Sequence, residues 1–229
     1  MESIVSNDGE VLLINKPLTW TSFDVVRKLK PILNVKKIGH AGTLDPLATG
    51  LLVVCTGKKT KTISVIQDAE KEYTGTFYLG ATTASFDLET ERENQCDISH
   101  LTPELINEAV SKFIGEIQQI PPMHSAIKLN GERAYTLARR GETAELKSRT
   151  LTITEYEITR IALPEIDFRI VCSKGTYIRS LARDLGEMLQ VGAHLTSLCR
   201  TRIGNYLLKN AKTIEEMQSE RNTIVKQSN

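Results

Sequence analysis

One segment of the chain places a single carboxylate in a loop rich in glycine, directly before an apolar strand. Residues 39–50 contain three glycines, one proline and Asp45, and residues 51–55 form an apolar run typical of a buried strand. Glycine lets a substrate approach the backbone closely, and proline restricts the loop. This frame suits an acid that must meet a substrate atom at short range. A structural turn whose aspartate satisfies its own backbone amides fits the spacing at least as well.

Composition narrows the class of protein. With 229 residues, 40% of them hydrophobic and 25% charged, the chain has the content of one larger α/β domain or of a domain with a small appendage. No apolar run reaches membrane-spanning length, and residues 1–6 lack the features of a signal peptide. We therefore expect a soluble, cytoplasmic protein that does not bind membranes.

The four cysteines point to neither a disulfide framework nor a zinc site. They are far apart in the sequence, and no CxxC pair occurs among them. We expect reduced thiols that pack in the interior. The four are Cys55, Cys96, Cys172 and Cys199.

The basic residues are concentrated in one part of the chain. The net charge is only +1, which argues against general attraction to nucleic acid. Between Lys16 and Lys61, however, nine lysines and arginines face only Asp24 and Asp45. Such a basic sector can contact phosphates locally. Solvated helix faces that happen to carry lysine explain it equally well.

The periodicity of apolar residues predicts alternating strands and helices. Ser22 is a candidate helix cap, with the helix interrupted near Pro31, and Thr102 followed by Pro103 is a strong helix start that leads to a stop at Gly115. Further helices are predicted at residues 59–69, 177–189 and 213–220, and strands at residues 10–15, 51–55, 71–79, 150–159 and 166–172. Several strands are adjacent in sequence, so an antiparallel or mixed α/β sheet fits better than a doubly wound one.

Two nucleotide-binding motifs can be excluded. Residues 56–60 are similar to the end of a phosphate-binding loop, but Leu52 occupies the position of its first glycine and Lys59 that of its Ser or Thr. A dinucleotide-binding glycine fingerprint is absent from the sequence. The chain therefore has no sequence signature of an NTP- or NAD-dependent enzyme.

Five separated blocks of the sequence form one recognisable series. The most specific is Gly-His-Ala-Gly-Thr-Leu-Asp-Pro-Leu-Ala-Thr-Gly-Leu-Leu at residues 39–52. The others are Leu-Ile-Asn-Lys-Pro from Leu13, Lys-Glu-Tyr from Lys71, Gln-Ile-Pro-Pro-Met from Gln119, and Gly-Thr-Tyr-Ile-Arg-Ser-Leu-Ala-Arg-Asp-Leu-Gly from Gly175. These blocks resemble the TruB family of pseudouridine synthases, which isomerise the uridine at position 55 in the T-loop of tRNA. All five stand in family order, which chance does not explain.

The resemblance implies roles for individual residues. Asp45 corresponds to the catalytic aspartate, Tyr73 to a tyrosine that stacks on the flipped base and handles protons, and Arg179 to the arginine that pairs with the aspartate. The implied substrate-binding residues are His40, Tyr177, Leu198, Lys16 and Lys61. The two lysines occupy structural or phosphate-proximal positions. Without the resemblance, Tyr73 fits a half-buried packing residue and Arg179 a solvated helix face.

The resemblance also implies a fold and a set of partners. We expect an α/β (α+β) pseudouridine synthase fold with a central mixed, mainly antiparallel sheet flanked by helices. One catalytic domain would span residues 1–229, with an RNA-gripping insertion at about 123–149 and a short tail at 205–229 instead of a C-terminal PUA domain. We expect a monomer that binds the T-arm of tRNA without a protein partner. Because the reaction must exclude water, neither a metal nor another cofactor is expected.

The sequence departs from the family pattern in three places. His124 replaces a usual tyrosine, residues 85–87 replace a threonine-containing version, and residues 198–201 carry one arginine fewer than the family pattern.

Some alternatives stay open at this point. A tRNA-binding or folding chaperone with secondary or no catalysis is the alternative function, and the same chemistry on another RNA is a third. The sequence does not decide whether Asp45 attacks the base, attacks the sugar or removes a ribose proton to give a glycal.

Overall fold

The computed structural model describes residues 8–125, 127–129, 131–142 and 144–227. The expected insertion at 123–149 and tail at 205–229 are therefore described in part, and the N-terminal residues 1–7 lie outside the described residues. Contacts divide the chain into two compact units: unit 1 comprises residues 1–73 and 198–229, and unit 2 comprises residues 74–197. Within the described ranges, no helix combines the length and apolar character needed to cross a membrane.

The elements alternate along the chain. The strands are β1 (Val11–Lys16), β2 (Ile38–His40), β3 (Ala48–Thr56), β4 (Lys71–Leu79), β5 (Thr82–Thr83), β6 (Arg92–Glu93), β7 (Gly115–Gln119), β8 (Lys128–Leu129), β9 (Glu132–Arg133), β10 (Arg149–Ala162), β11 (Glu165–Cys172), β12 (Ala193–Ile203) and β13 (Tyr206–Leu207). The helices are α1 (Ser22–Leu33), α2 (Ile63–Asp68), α3 (Pro103–Ser111), α4 (Ala134–Arg139), α5 (Ile178–Met188) and α6 (Ile214–Gln227).

Unit 1 is organised around β3. This strand is buried along almost its whole length, which explains its continuous apolar sequence. β1 and β2 pair with it antiparallel, and the C-terminal part of β12 pairs with it parallel. Helices α1 and α6 share one core cluster with β3, in which Leu29 and Met217 pack with Leu52.

Unit 2 contains the long hairpin of β10 and β11. The strand order here is β12-β4-β11-β10-β7, with β10 antiparallel to both of its neighbours. The rings of Phe77 on β4 and Phe168 on β11 lie 4.2 Å apart between centroids. The predicted α/β class, with a mixed, mainly antiparallel sheet flanked by helices, is confirmed.

The predicted start and interruption of α1 are wrong. The cap is Thr21, whose Oγ1 accepts the N–H of Asp24 at 3.0 Å while the Asp24 carboxylate accepts the N–H of Thr21 at 3.1 Å. The helix also continues through Pro31 to Leu33. Pro31 lies in the last turn, where little helix remains to be interrupted.

Two smaller predictions also need correction. The segment predicted as a helix at residues 59–69 begins as a 3-10 turn, Gly57–Thr62, and becomes α-helical only at Ile63. Cys55 and Cys172 are buried free thiols, as predicted, but Cys96 is exposed. Cys96 follows β6 and stands between the polar residues Gln95 and Asp97, which are also exposed.

Candidate active site

Asp45 lies in the loop that joins β2 to β3. Asp45 is half-buried, whereas Thr43 and Pro46 are exposed. The carbonyl oxygen of Asp45 accepts the N–H of Ala48 at 3.0 Å, which closes a turn immediately before β3. The carboxylate is therefore carried on a short turn that leads directly into β3, a strand that pairs with β1, β2 and β12.

Helix α1 holds the residue before Asp45. The hydroxyl of Ser22, which is buried, accepts the N–H of Leu44 at 2.8 Å and donates to its carbonyl oxygen at 3.2 Å. One side chain thus satisfies both backbone groups of Leu44. Sequence reasoning assigned Ser22 to helix capping, and only the tertiary contact shows that it supports the loop.

Lys16 supports the loop from β1. Its side chain is fully buried, and its ammonium group donates to the carbonyl oxygens of Pro17 at 2.9 Å, Trp20 at 2.6 Å and Pro46 at 3.3 Å. Burial lowers the pKa of Lys16 to about 8, and the negative charge of Asp45 opposes this shift. These contacts favour the structural alternative for Lys16 over contact with phosphate.

Arg200 on β12 is a supporting residue that sequence reasoning missed. Its guanidinium is buried and donates to the carbonyl oxygens of Leu51 at 2.9 Å, Thr43 at 3.3 Å and Gly42 at 3.1 Å. These acceptors stand on both sides of Asp45 in the sequence, so one rigid fork fixes both ends of the turn. The only signal in the sequence was that an arginine remains at this position of the family pattern.

Gly50 allows β12 to lie close to β3. Its φ is +98°, and a Cβ placed on it would lie 2.4 Å from the carbonyl oxygen and 2.8 Å from the nitrogen of Arg200. The sequence prediction, that the loop glycines admit a substrate, is therefore wrong for Gly50. Close packing of β3 against β12 requires a glycine there.

The other predicted residues of unit 1 lie on elements around the loop. His40 on β2 is half-buried, and burial lowers the pKa of its imidazole. Leu198 on β12 pairs with Ala48, directly after the Asp45 turn. Tyr73 is buried on β4, and Lys61 is exposed in the 3-10 turn that follows β3. Their substrate contacts stay predictions.

Arg179 in unit 2 is almost fully buried, with 3% of its surface exposed. The solvated-face alternative is therefore wrong. Its Nε lies 3.5 Å from Oδ2 of Asp87, and its guanidinium donates to the carbonyl oxygens of Ser85 at 3.2 Å and His124 at 2.8 Å. The Asp87 partner was not predicted. The pairing of Arg179 with Asp45 stays a prediction.

The polar loop after β5 positions Asp87. The hydroxyls of Thr83 and Ser85 donate to the Asp87 carbonyl oxygen at 2.7 and 3.1 Å, and Oδ1 of Asp87 accepts the N–H of Glu89 at 2.9 Å. The loop is thus held by its own polar side chains. This explains how a sequence without apolar periodicity presents a buried carboxylate to Arg179.

Tyr177 is held at the N-terminus of α5 through its backbone. The side-chain amide of Gln119, on β7, accepts the N–H of Tyr177 at 2.9 Å and donates to its carbonyl oxygen at 3.1 Å. Tyr177 is half-buried. In the part of the chain that the structure describes, no group of three or more His, Cys, Asp or Glu side chains is arranged to hold a metal ion.

The arrangement can present an acid with little reorganisation. In unit 1, Ser22, Lys16 and Arg200 together fix the backbone on both sides of a half-buried carboxylate. In unit 2, backbone carbonyls and Asp87 hold a buried guanidinium. A carboxylate held in this way suits proton abstraction or nucleophilic attack, because its position is set before the substrate binds.

The family models that match the chain define its class. The model described as TruB family pseudouridylate synthase (N terminal domain) matches residues 30–178, and the tRNA pseudouridylate synthase B C-terminal domain matches residues 179–227. The protein is thus a pseudouridylate synthase by class. Within that class, the chain belongs to the TruB family.

Relatives cover nearly the whole chain. It is 61% identical over 211 residues to the tRNA pseudouridine synthase B of Flavobacterium johnsoniae, which covers 89% of this chain and 92% of that protein. The corresponding protein of Phocaeicola vulgatus is 56% identical over 214 residues, with 91% of each chain covered.

The fold is also found in a solved structure, that of the archaeal box H/ACA sRNP Nop10-Cbf5 complex. It matches with 27% identity and a TM-score of 0.73. The match covers 97% of this chain but only 57% of the other one, so the chain spans little more than half of that protein.

Proposed function

We propose that this protein isomerises uridine to pseudouridine at position 55 in the T-loop of tRNA. The observation that carries the proposal is the Asp45 turn, fixed by Ser22, Lys16 and Arg200, in a chain of the TruB family. Relatives that are 55–61% identical bear the name tRNA pseudouridine synthase B, which supports tRNA as the substrate. The protein is an isomerase.

The reaction needs no external reagent. The bond between ribose C1′ and uracil N1 breaks, the uracil turns within the pocket, and a bond forms between C1′ and C5. The proton on C5 is transferred to N1, so product and substrate contain the same atoms. The pocket must exclude water, because water would capture the ribose and release free uracil.

In the route we favour, the Asp45 carboxylate removes the C2′ proton and gives a glycal. It returns the proton to C2′ when C5 attacks C1′. Asp45 must therefore be ionised, and a nearby cation favours this form, the role we assign to Arg179. Tyr73 stacks on the extruded base, and stacking of this kind contributes roughly 1–3 kcal/mol per base.

The remaining predicted residues complete the proposed site. His40, Tyr177 and Leu198 would surround the flipped nucleotide, and Lys61 would contact phosphate. RNA is read mainly through its shape and its unpaired bases, which fits recognition of the folded T-arm. The proposal includes a cytoplasmic monomer that needs no protein partner, in which residues 123–149 grip the RNA.

The test is pseudouridine mapping on an unmodified tRNA transcript incubated with the purified protein. We expect modification at the T-loop uridine, and Asp45→Asn should lower the rate by roughly 10³-fold or more with little change in tRNA affinity, because the amide cannot accept the proton. Asp97→Asn, at an exposed aspartate that bonds Ser99, is the matched control and should keep full activity.

The outcomes separate the competing functions. Turnover by Asp45→Asn would show that Asp45 is not the reacting group. tRNA binding by the wild-type protein without any modification would instead favour the chaperone function or another RNA substrate. Size-exclusion chromatography with light scattering checks the monomer, for which the chain mass is 25.5 kDa.

A further inference from the structure

Two large apolar side chains are exposed next to the Asp45 turn. Leu18 is 54% exposed and Phe23 is 67% exposed. Leu18 lies in the turn between β1 and α1, and Phe23 lies in the first turn of α1. Exposing a phenylalanine to this extent forfeits most of the free energy that its burial would contribute.

This pair is tied to the Asp45 turn by backbone contacts. Thr19, which follows Leu18, donates its N–H to the carbonyl oxygen of Pro46 at 2.9 Å. Thr19 has a φ of +69°, a strained conformation for a β-branched residue. Ser22, which precedes Phe23, holds Leu44. Residues on both sides of Asp45 are thus bonded to the direct neighbours of the exposed pair.

Cations continue the same face of α1. Phe23, Arg27 and Lys30 are spaced i, i+4 and i+7, which places them on one side of a helix. Arg27 and Lys30 are both exposed, and Arg27 pairs with Asp24 at 2.8 Å. An exposed pair of this kind is worth little, so the guanidinium remains available to a phosphate.

We propose that Leu18, Phe23, Arg27 and Lys30, here called the α1 platform, bind the RNA strand next to the target uridine. An unpaired base stacks on Phe23 against Leu18, and the adjoining phosphates contact Arg27 and Lys30. The inference rests on the proposed function, because it assigns the RNA partner of that site.

The composition of the α1 platform favours RNA over other occupants. Aromatic side chains beside a line of cations are the usual means of binding single strands, since every base offers a face for stacking. Two apolar side chains are too few for a stable protein interface, which buries roughly 800 Å² on each partner. The hydrogen bonds of Thr19 to Pro46 and of Ser22 to Leu44 also tie this segment to the turn that would receive the flipped nucleotide.

The first experiment measures the affinity for a T-arm RNA and the single-turnover rate at saturating protein. Phe23→Ala should raise Kd by roughly 5- to 100-fold, as expected for loss of one stacked base, with the saturated rate nearly unchanged. Phe23→Trp should restore affinity because it keeps an aromatic face. Val65→Ala is the matched control, since Val65 is an exposed apolar residue of α2 in the same unit, 72% exposed.

The second experiment measures how Kd depends on salt. Arg27→Gln and Lys30→Gln should each lower the slope of log Kd against log salt concentration by roughly 0.7, the value for one single-strand phosphate contact. Lys112→Gln, at an exposed lysine directly after α3, should leave the slope unchanged. Circular dichroism confirms that each variant is folded.

The results separate this inference from the proposed function. Wild-type affinity in Phe23→Ala, equal losses in Phe23→Ala and Val65→Ala, or failure of Phe23→Trp to restore binding would each overturn the α1 platform. If the wild-type protein binds the T-arm without forming pseudouridine, the proposed function fails. The affinities of the wild type and the Phe23 variants for the T-arm RNA would still show whether the α1 platform binds RNA.

Discussion

At the scale of single residues, burial changes what a charged side chain contributes. The sequence counts Lys16 among the nine basic residues of the N-terminal sector, where it resembles a phosphate ligand. The structure buries its ammonium group among three backbone carbonyl oxygens, one of them from Pro46. The charge of Lys16 therefore acts on the Asp45 turn from inside the protein. The positive charge of the basic sector that RNA can reach is smaller than the sequence suggests.

This burial predicts a pH dependence for stability. The pKa of Lys16 is about 8 in the folded protein, against 10.5 as its ordinary value. Between these pH values the unfolded chain binds more protons than the folded one, so Lys16 makes stability rise with pH, by at most about 1.4 kcal/mol per pH unit. As pH rises from 8 to 10.5, we therefore expect the unfolding free energy of the wild type to increase relative to that of Lys16→Met.

Urea unfolding at a series of pH values measures this difference. Below pH 8 the two curves should run parallel, since Lys16 is protonated in both states. Parallel curves up to pH 10.5 would contradict the lowered pKa.

At the scale of elements, the start of α1 serves three purposes with three consecutive residues. Thr21 caps the helix, Ser22 holds Leu44, and Phe23 is exposed on the outer face. Successive residues of a helix point about 100° apart, so neighbours in sequence face different surroundings. The sequence showed that a helix starts here. It could not assign the three side chains, because only one of them acts within the helix.

The two hydrogen bonds of Ser22 to the backbone of Leu44, here called the clamp on Leu44, can be tested separately from the helix cap of Thr21. Ser22→Ala leaves the N–H and carbonyl of Leu44 without their partner and should cost about 1–3 kcal/mol in unfolding free energy. It should also lower the saturated pseudouridylation rate, because the residue before Asp45 loses its anchor. Thr21→Ala removes the cap at a cost of about 1 kcal/mol, leaves the clamp intact, and should keep the rate.

Thermal unfolding and single-turnover kinetics on both variants provide the comparison. If Ser22→Ala and Thr21→Ala are both folded and have equal single-turnover rates, the clamp does not position Asp45.

At the scale of the whole molecule, the net charge of +1 limits general attraction to RNA. Binding must then come from local cations and from complementarity of shape. The basic sector lies between Lys16 and Lys61, which assigns it to unit 1. This distribution favours a protein that binds one folded RNA well and other RNAs poorly.

We therefore expect strong discrimination between RNAs of equal length. A hairpin with the T-arm stem but an unrelated loop should bind with a Kd no tighter than roughly 10⁻⁶ M at physiological salt, the range of non-specific binding. The T-arm itself should bind more tightly and retain more of its affinity as salt rises. Competition binding with the two hairpins measures this, and equal displacement would argue against recognition of shape.

The sequence by itself determined the class of the fold and the family. Alternating β-branched residues located β10 and β11, β-forming composition located β4, and the Thr102–Pro103 pair located the start of α3, because these signals are local. The tertiary structure decided the rest: the buried pair of Arg179 with Asp87, the clamp on Leu44, and the fork of Arg200, whose partner Leu51 is 149 residues away. Burial and partner choice depend on which elements pack together, and no local periodicity carries that information.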